Sequence, residues 1–110
     1  MIRLTVLYNL PADADEEEFL RWRLTDHQAA NAAAVGVVRT DFARVDAAWP
    51  PGTPVPYRFM TTADWPDRAS FERAFLDDEA QEGLRTNLTK LADPVFLVSE
   101  ILAETVNAPD

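Results

Sequence analysis

His27 is the one histidine of the chain, and Arg23 lies one helical turn before it in the segment FLRWRLTDH. His27 is also the one side chain whose ordinary pKa lies near neutrality, and here it stands beside a permanent cation at helical spacing. On a wheel of 100° per residue with Phe19 at zero, Arg23 falls at about 40° and His27 at about 80°. Leu20 and Leu24, at about 100° and 140°, close an apolar arc around them, and Ala30 and Asn31 continue it. Two ionisable side chains therefore point where the core should be. Burying a charge costs several kcal/mol unless it is paired or faces a wet cavity. The pattern predicts a polar-lined cavity between this helix and a sheet. An imidazole there is the natural general acid or base, with an ordinary pKa near neutrality. A guanidinium there can hold an oxyanion, an enolate or a carboxylate. The plainer alternative is that both groups hydrogen-bond neighbouring carboxylates or backbone and do nothing else.

Catalytic candidates are thus His27 and Arg23, with Tyr8, Tyr57, Asn31 and Leu24 as substrate-binding candidates. Tyr8 shares a strand face with Ile2, Leu4 and Val6, and Tyr57 shares one with Phe59, so both hydroxyls can reach the same cavity. Glu100 is expected to pair with Arg3 or Arg39. Trp22, Trp49 and Trp65 read as packing or rim residues, with Trp49 in a proline-rich loop.

Composition removes most other chemistries. With no cysteine there is no disulfide, iron–sulfur cluster, thiolate zinc site or cysteine nucleophile. A single histidine excludes any site needing two imidazoles, which leaves an all-carboxylate metal site as the formal remainder. The acidic run Glu16–Glu18 reads instead as a solvated helix start, where the helix dipole favours anions. No metal and no cofactor are expected. Three glycines provide no phosphate-cradling loop. A net charge of −9 argues against nucleic acid and against anionic membrane surfaces as partners. The opening MIRLTVLY lacks the apolar h-region of a signal peptide, and no window approaches a membrane span. The expected location is the cytoplasm.

The elements that must position the pair follow from periodicity. The 110 residues, 47% of them hydrophobic, make one domain over 1–110. Ile2 to Tyr8 alternates as a strand. Asp13 or Asp15 caps a helix that runs to about Ala34 and stops at Gly36. Gly36–Val45 and Tyr57–Thr62 read as a hairpin across the loop AAWPPGTPVP. Pro66 opens a second helical segment carrying Phe71 and Phe75, redirected at Asp77 and continued by Leu84, Leu88 and Leu91. Asp93-Pro94 breaks it, and Val95 to Leu102 is the last strand.

This β-α-β-β-α-β order is the ferredoxin-like motif: an α+β fold with a four-stranded antiparallel sheet and helices on one face only. The second face is expected to carry Leu7, Val37, Val45, Met60, Val98 and Leu102. So large an apolar patch predicts a homodimer through the sheet.

MIRLTVLYNL, FLRWRLTDH and LADPVFLVSEIL resemble the RedY/HapK-like family of pigment-cluster proteins. More broadly the chain is similar to the dimeric α+β barrel superfamily, which includes EthD-like proteins, polyketide cyclases and cofactor-free monooxygenases. The resemblance implies sheet-to-sheet dimers, a pocket between sheet and helices, and cofactor-independent chemistry on small aromatic metabolites. His27 falls where EthD-like and cyclase-like relatives often carry a pocket histidine. The leading expectation is a cofactor-independent enzyme of specialised metabolism. It would act on a small aromatic or heteroaromatic intermediate by proton-transfer-driven cyclisation, condensation or isomerisation, with one ionisation near neutrality. The alternative is a non-catalytic dimeric carrier for an unstable biosynthetic intermediate.

Overall fold

The alternation of Ile2–Asn9 becomes β1, whose even-numbered residues Ile2, Leu4, Val6 and Tyr8 are all buried. In the computed structural model, which describes residues 1–108, the chain continues into α1 (Glu16–Trp22), a π-helical turn (Arg23–His27) and α2 (Gln28–Ala32). Then follow β2 (Arg39–Arg44), β3 (Phe59–Trp65), α3 (Arg68–Phe75), α4 (Asp78–Leu88) and β4 (Ala92–Glu100). The sheet order is β2-β3-β1-β4, and every neighbouring pair is antiparallel. The fold is α+β and ferredoxin-like. No helix among the described residues is long and apolar enough to cross a membrane.

Caps set the helix starts. Asp15, Asp67 and Asp77 each accept a backbone N–H from the first turn of α1, α3 and α4. Pro66 therefore lies just outside α3 rather than opening it. Gly83 does not interrupt α4. Glu16, expected to be merely solvated, receives Arg58 Nε at 3.0 Å and lies 3.8 Å from Arg44. These contacts tie the start of α1 to the β2–β3 hairpin.

Register decides which strand residues face the helices. Pairing of Leu4 with Ala63, Val6 with Thr61 and Tyr8 with Phe59 puts Phe59, Thr61, Ala63 and Trp65 on the helix side, where β2 adds Phe42. The core is Ile2, Leu4, Val6, Tyr8, Phe59 and Trp65 against Phe19 and Phe71. Phe71 and Phe75 stack, with ring centroids 5.2 Å apart. Trp65 is held by its Nε1 donating to the Val35 carbonyl at 2.9 Å.

The uncovered face differs from its expected membership. Val37 and Val45 lie outside β2, Leu102 lies beyond β4, and Val98 pairs with Leu4 and so belongs to the helix side. In their place Val95 and Leu97 join Leu7 and Met60. The same face carries the bidentate pair of Arg3 and Asp64, Nε to Oδ1 at 2.8 Å and Nη2 to Oδ2 at 2.9 Å.

Strand β4 also starts earlier than predicted. Leu7 pairs with Val95 but Asn9 pairs with Ala92, so β4 spends one extra residue there, a bulge with Asp93 at φ +52°. Asp93-Pro94 was expected to end a helix; it lies inside a strand, because the bulge accommodates a proline that lacks its N–H.

Candidate functional site

Arg23 is the largest polar side chain in the interior, at 1% exposure. Its Nη1 donates to Gln28 Oε1 at 2.7 Å and its Nη2 to Thr61 Oγ1 at 3.1 Å. Its Cζ lies 4.2 Å from the centre of the Phe42 ring, a cation–π contact. All three partners are neutral. Among the described residues no carboxylate forms an ion pair with it. Burial pulls its guanidinium below the ordinary arginine value, with the Tyr8 hydroxyl opposing that shift. Among those residues it is a buried cation without a counterion.

The π-helical turn produces this arrangement. In an α-helix Gln28 would lie about 140° around from Arg23, far out of reach. A π turn closes its hydrogen bonds five residues apart, so position 28 comes to stand over position 23. Within the turn the Thr25 hydroxyl donates to the Arg21 carbonyl four residues back, a competing bond that loosens the regular ladder.

His27 closes the same turn. Its ring stacks on Trp22, centroids 4.4 Å apart and 21° from parallel, and Lys90 Nζ lies 4.7 Å from the same indole. Burial lowers the imidazole pKa from 6.5 to about 4, and the charges of Arg23 and Lys90 add to the shift. This corrects the expectation of an ionisation near neutrality. Two neighbouring cations and a half-buried ring keep His27 neutral at pH 7.

Both groups line a cavity of about 840 Å³ between sheet and helices. That volume suits a small-molecule site. Leu4, Val6 and Tyr8 form its floor, Phe75, Leu84, Leu88 and Leu91 its far wall, and Asn31 and Asn87 contribute carboxamides. Tyr8 is 3% exposed, and its hydroxyl meets Thr61 Oγ1 at 3.4 Å. The structure thus brings together His27, Arg23, Tyr8 and Asn31.

Two expected binding residues are elsewhere. Leu24 is 58% exposed and does not line the cavity. The inward arc is centred on Phe19 and Arg23 with Trp22 on its other flank, and Leu24 lies about 160° from Trp22 on the wheel. Tyr57 also misses the cavity. Asn9 accepts the Arg58 N–H at 2.7 Å and donates to the Pro56 carbonyl at 3.0 Å, so the chain is clamped before β3 begins. Glu100 forms no ion pair among the described residues: it pairs with Ile2 and so belongs to the helix side, whereas Arg3 is bound to Asp64 on the other face, and Arg39 is bound to Asp41. Trp49, at 84% exposure, lies in the loop and outside the cavity.

Thr61, Gln28, Phe42 and Asn87 were not foreseen. Thr61 and Phe42 are legible in retrospect, since Thr61 is two residues along β3 from Phe59 and Phe42 pairs with it across the hairpin. Gln28 has no signal on an α-helical wheel. Among the described residues no group of three or more histidine, aspartate or glutamate side chains is arranged to hold a metal ion.

Sheet order, the single helical layer and the cavity beneath it define the ferredoxin-like α+β protomer as the class. No family model and no curated protein sequence matches the chain. Among solved structures, the chain has the fold of HapK from Hahella chejuensis, with a TM-score of 0.73 and 22% identity over 99% of this chain and 100% of that one. An EthD family protein from Bacillus halodurans superposes with a TM-score of 0.74 and 19% identity, over 93% and 99%. SnoaB from Streptomyces nogalater, described as a cofactor-independent oxygenase, gives 0.68 and 16% identity over 94% of each chain. A similar structure from Thermobifida fusca is described as a dimeric ferredoxin-like protein.

Proposed function

We propose that the protein is a cofactor-independent enzyme of specialised metabolism acting on a small aromatic or heteroaromatic intermediate by proton transfer. The observation that carries this reading is that one π-helical turn presents a neutral imidazole and a buried, unpaired guanidinium to one cavity. His27, deprotonated at neutral pH, accepts a proton from a substrate carbon or hydroxyl made acidic by its neighbours. Arg23 stabilises the enolate or phenolate that results, in a dry setting where such contacts are strongest. Tyr8 holds Thr61, and through it the guanidinium, while Asn31 offers the substrate a hydrogen bond. The imidazolium then returns the proton, to another atom of the anion in an isomerisation or cyclisation and to the oxygen that leaves as water in a condensation, so neither electrons nor a cofactor are consumed. The similar folds of HapK and SnoaB support the biosynthetic setting. A cytoplasmic location accords with this chemistry.

The working unit is a homodimer joined through the uncovered sheet face. Leu7, Met60, Val95 and Leu97 supply its apolar centre, and the dimeric relative of the same fold supports it. Sedimentation equilibrium tests this, and a monomer at every concentration overturns it.

A carrier function is the second reading, favoured by the weak basicity that a pKa of about 4 gives His27. A panel of indolic, pyrrolic and aromatic-polyketide compounds, read by melting temperature and then by mass spectrometry, separates the two. A ligand converted by wild type and only bound by His27→Ala establishes the enzyme. A ligand that both proteins bind and return unchanged establishes the carrier.

A further inference from the structure

We propose that the cavity selects its ligand in the anionic form: an apolar aromatic acid, a carboxylate or acidic phenol, seated with its negative group on Arg23. This deepens the reading above by naming the substrate's charge, and it concerns binding alone, so it stands whether or not chemistry follows.

The first support is the state of Arg23 itself. A guanidinium at 1% exposure, held among the described residues by an amide oxygen, the Thr61 and Tyr8 hydroxyls and a ring face, has there no anion of the kind that buried cations require. Its two recorded hydrogen bonds occupy two of five N–H donors. Gln28 and Thr61 fix the plane of the group from two sides, so a planar acid meets a preorganised partner.

The second support is the distribution of charge. The chain as a whole is acidic, at −9, yet Arg23 and Lys90 are the charged groups acting on His27 at this end of the site. The carboxylates that do line the cavity, Asp77 and Glu79, belong to the start of α4, and Asp77 is occupied in capping Ala80 at 3.1 Å. The local field around Arg23 therefore opposes that of the whole surface. A neutral ligand would leave this difference unused.

The third support is the rest of the lining, apolar and aromatic, with Phe75 and Phe96 among it. It accommodates a hydrophobic body, and its one further permanent cation is Arg73, in the last turn of α3. The matching ligand has one anionic end and an apolar remainder.

The test uses 1-naphthoate, 2-naphthoate and anthracene-9-carboxylate, each against its primary amide, a neutral compound of nearly the same shape. Calorimetric titration of wild type should give each acid a Kd about tenfold to a hundredfold below that of its amide, the range of a buried charge-assisted contact. Arg23→Met should abolish the difference, Arg23→Lys should keep part of it, and Arg73→Ala should leave it intact. Equal affinity of acid and amide for wild type overturns the proposal, as does saturable binding of neither class. A preference lost in Arg73→Ala but kept in Arg23→Met overturns it too, by moving the contact to the end of α3. Because the wild-type comparison involves no substitution, a variant that fails to fold leaves it intact. Failure of the enzyme reading would show instead as unchanged ligand, whichever charge is preferred.

Discussion

Two arginines on opposite faces of one sheet meet buried polar atoms of the same strand in contrasting ways. Arg3, on the uncovered face, closes a bidentate pair with Asp64, whose side chain is 5% exposed while that of Arg3 is 35% exposed. Arg23, on the helix face, is nearly fully buried and touches only neutral partners around Thr61. The first arrangement is complete: charge, geometry and desolvation are balanced within the fold. The second has a cation's desolvation cost and, among the described residues, no anion to offset it. On the reading proposed above, a ligand completes it, and the contrast separates a residue that serves stability from one that serves a ligand.

Arg3→Ala should produce the largest loss of stability, about 2–3 kcal/mol, because it strands the Asp64 carboxylate. Urea denaturation reads this directly. The double substitution Arg3→Met with Asp64→Leu should recover much of that loss, since a well-packed apolar pair can replace an ion pair. If the single and double variants are equally unstable, the pair is not the complete unit described.

Acid should act next, through His27. Its pKa is about 4 folded against 6.5 unfolded, so between these values the unfolded chain binds a proton that the native one does not. Stability from this group is full above about pH 6.5 and is lost as the pH falls toward 4. The loss should be about 2 kcal/mol once solvent screening of the half-buried ring is allowed for. Thermal denaturation across that window in wild type and His27→Phe checks it, because the variant keeps the stack on Trp22 and should lack this slope.

Arg23→Met should change stability by no more than about 1 kcal/mol, in contrast to Arg3→Ala, because lost hydrogen bonds are offset by relief of an unpaired buried charge. A loss of the size seen for Arg3→Ala would make the two arginines equivalent. Thr61→Val should have the smallest effect, under about 1 kcal/mol, with a few-fold weaker binding of an aromatic acid as Arg23 loses one positioning contact. Unaltered affinity would remove Thr61 from the site.

The sheet and its buried face were legible because period-two alternation is unambiguous where four alternate residues, Ile2 to Tyr8, are apolar. The inward orientation of Arg23 and His27 was legible for the same kind of reason, since three turns of helix define a face. What escaped was irregular backbone. A bulge absorbed Asp93-Pro94 into β4, a clamp by Asn9 took Tyr57 out of β3, and a π turn brought in Gln28. None of these has a sequence period, so each is set by tertiary contacts. The pKa of His27 escaped as well, because it is set first by burial in the fold, then by Arg23 and by Lys90, which is distant in sequence.

The five-residue closure between Arg23 and Gln28 also has a consequence for chain length. A segment one residue shorter there would run as an uninterrupted α-helix with nearly the same phase beyond it, because five residues of a π turn cover about the rotation that four cover in an α-helix. Asn31 and Ala34 would stay on the cavity wall, and Gln28, then four residues from the guanidinium, would remain on its face. A residue added there would instead turn everything after it by about 100° and carry both off the wall. The stretch is therefore a phase counter that tolerates one codon fewer and not one codon more.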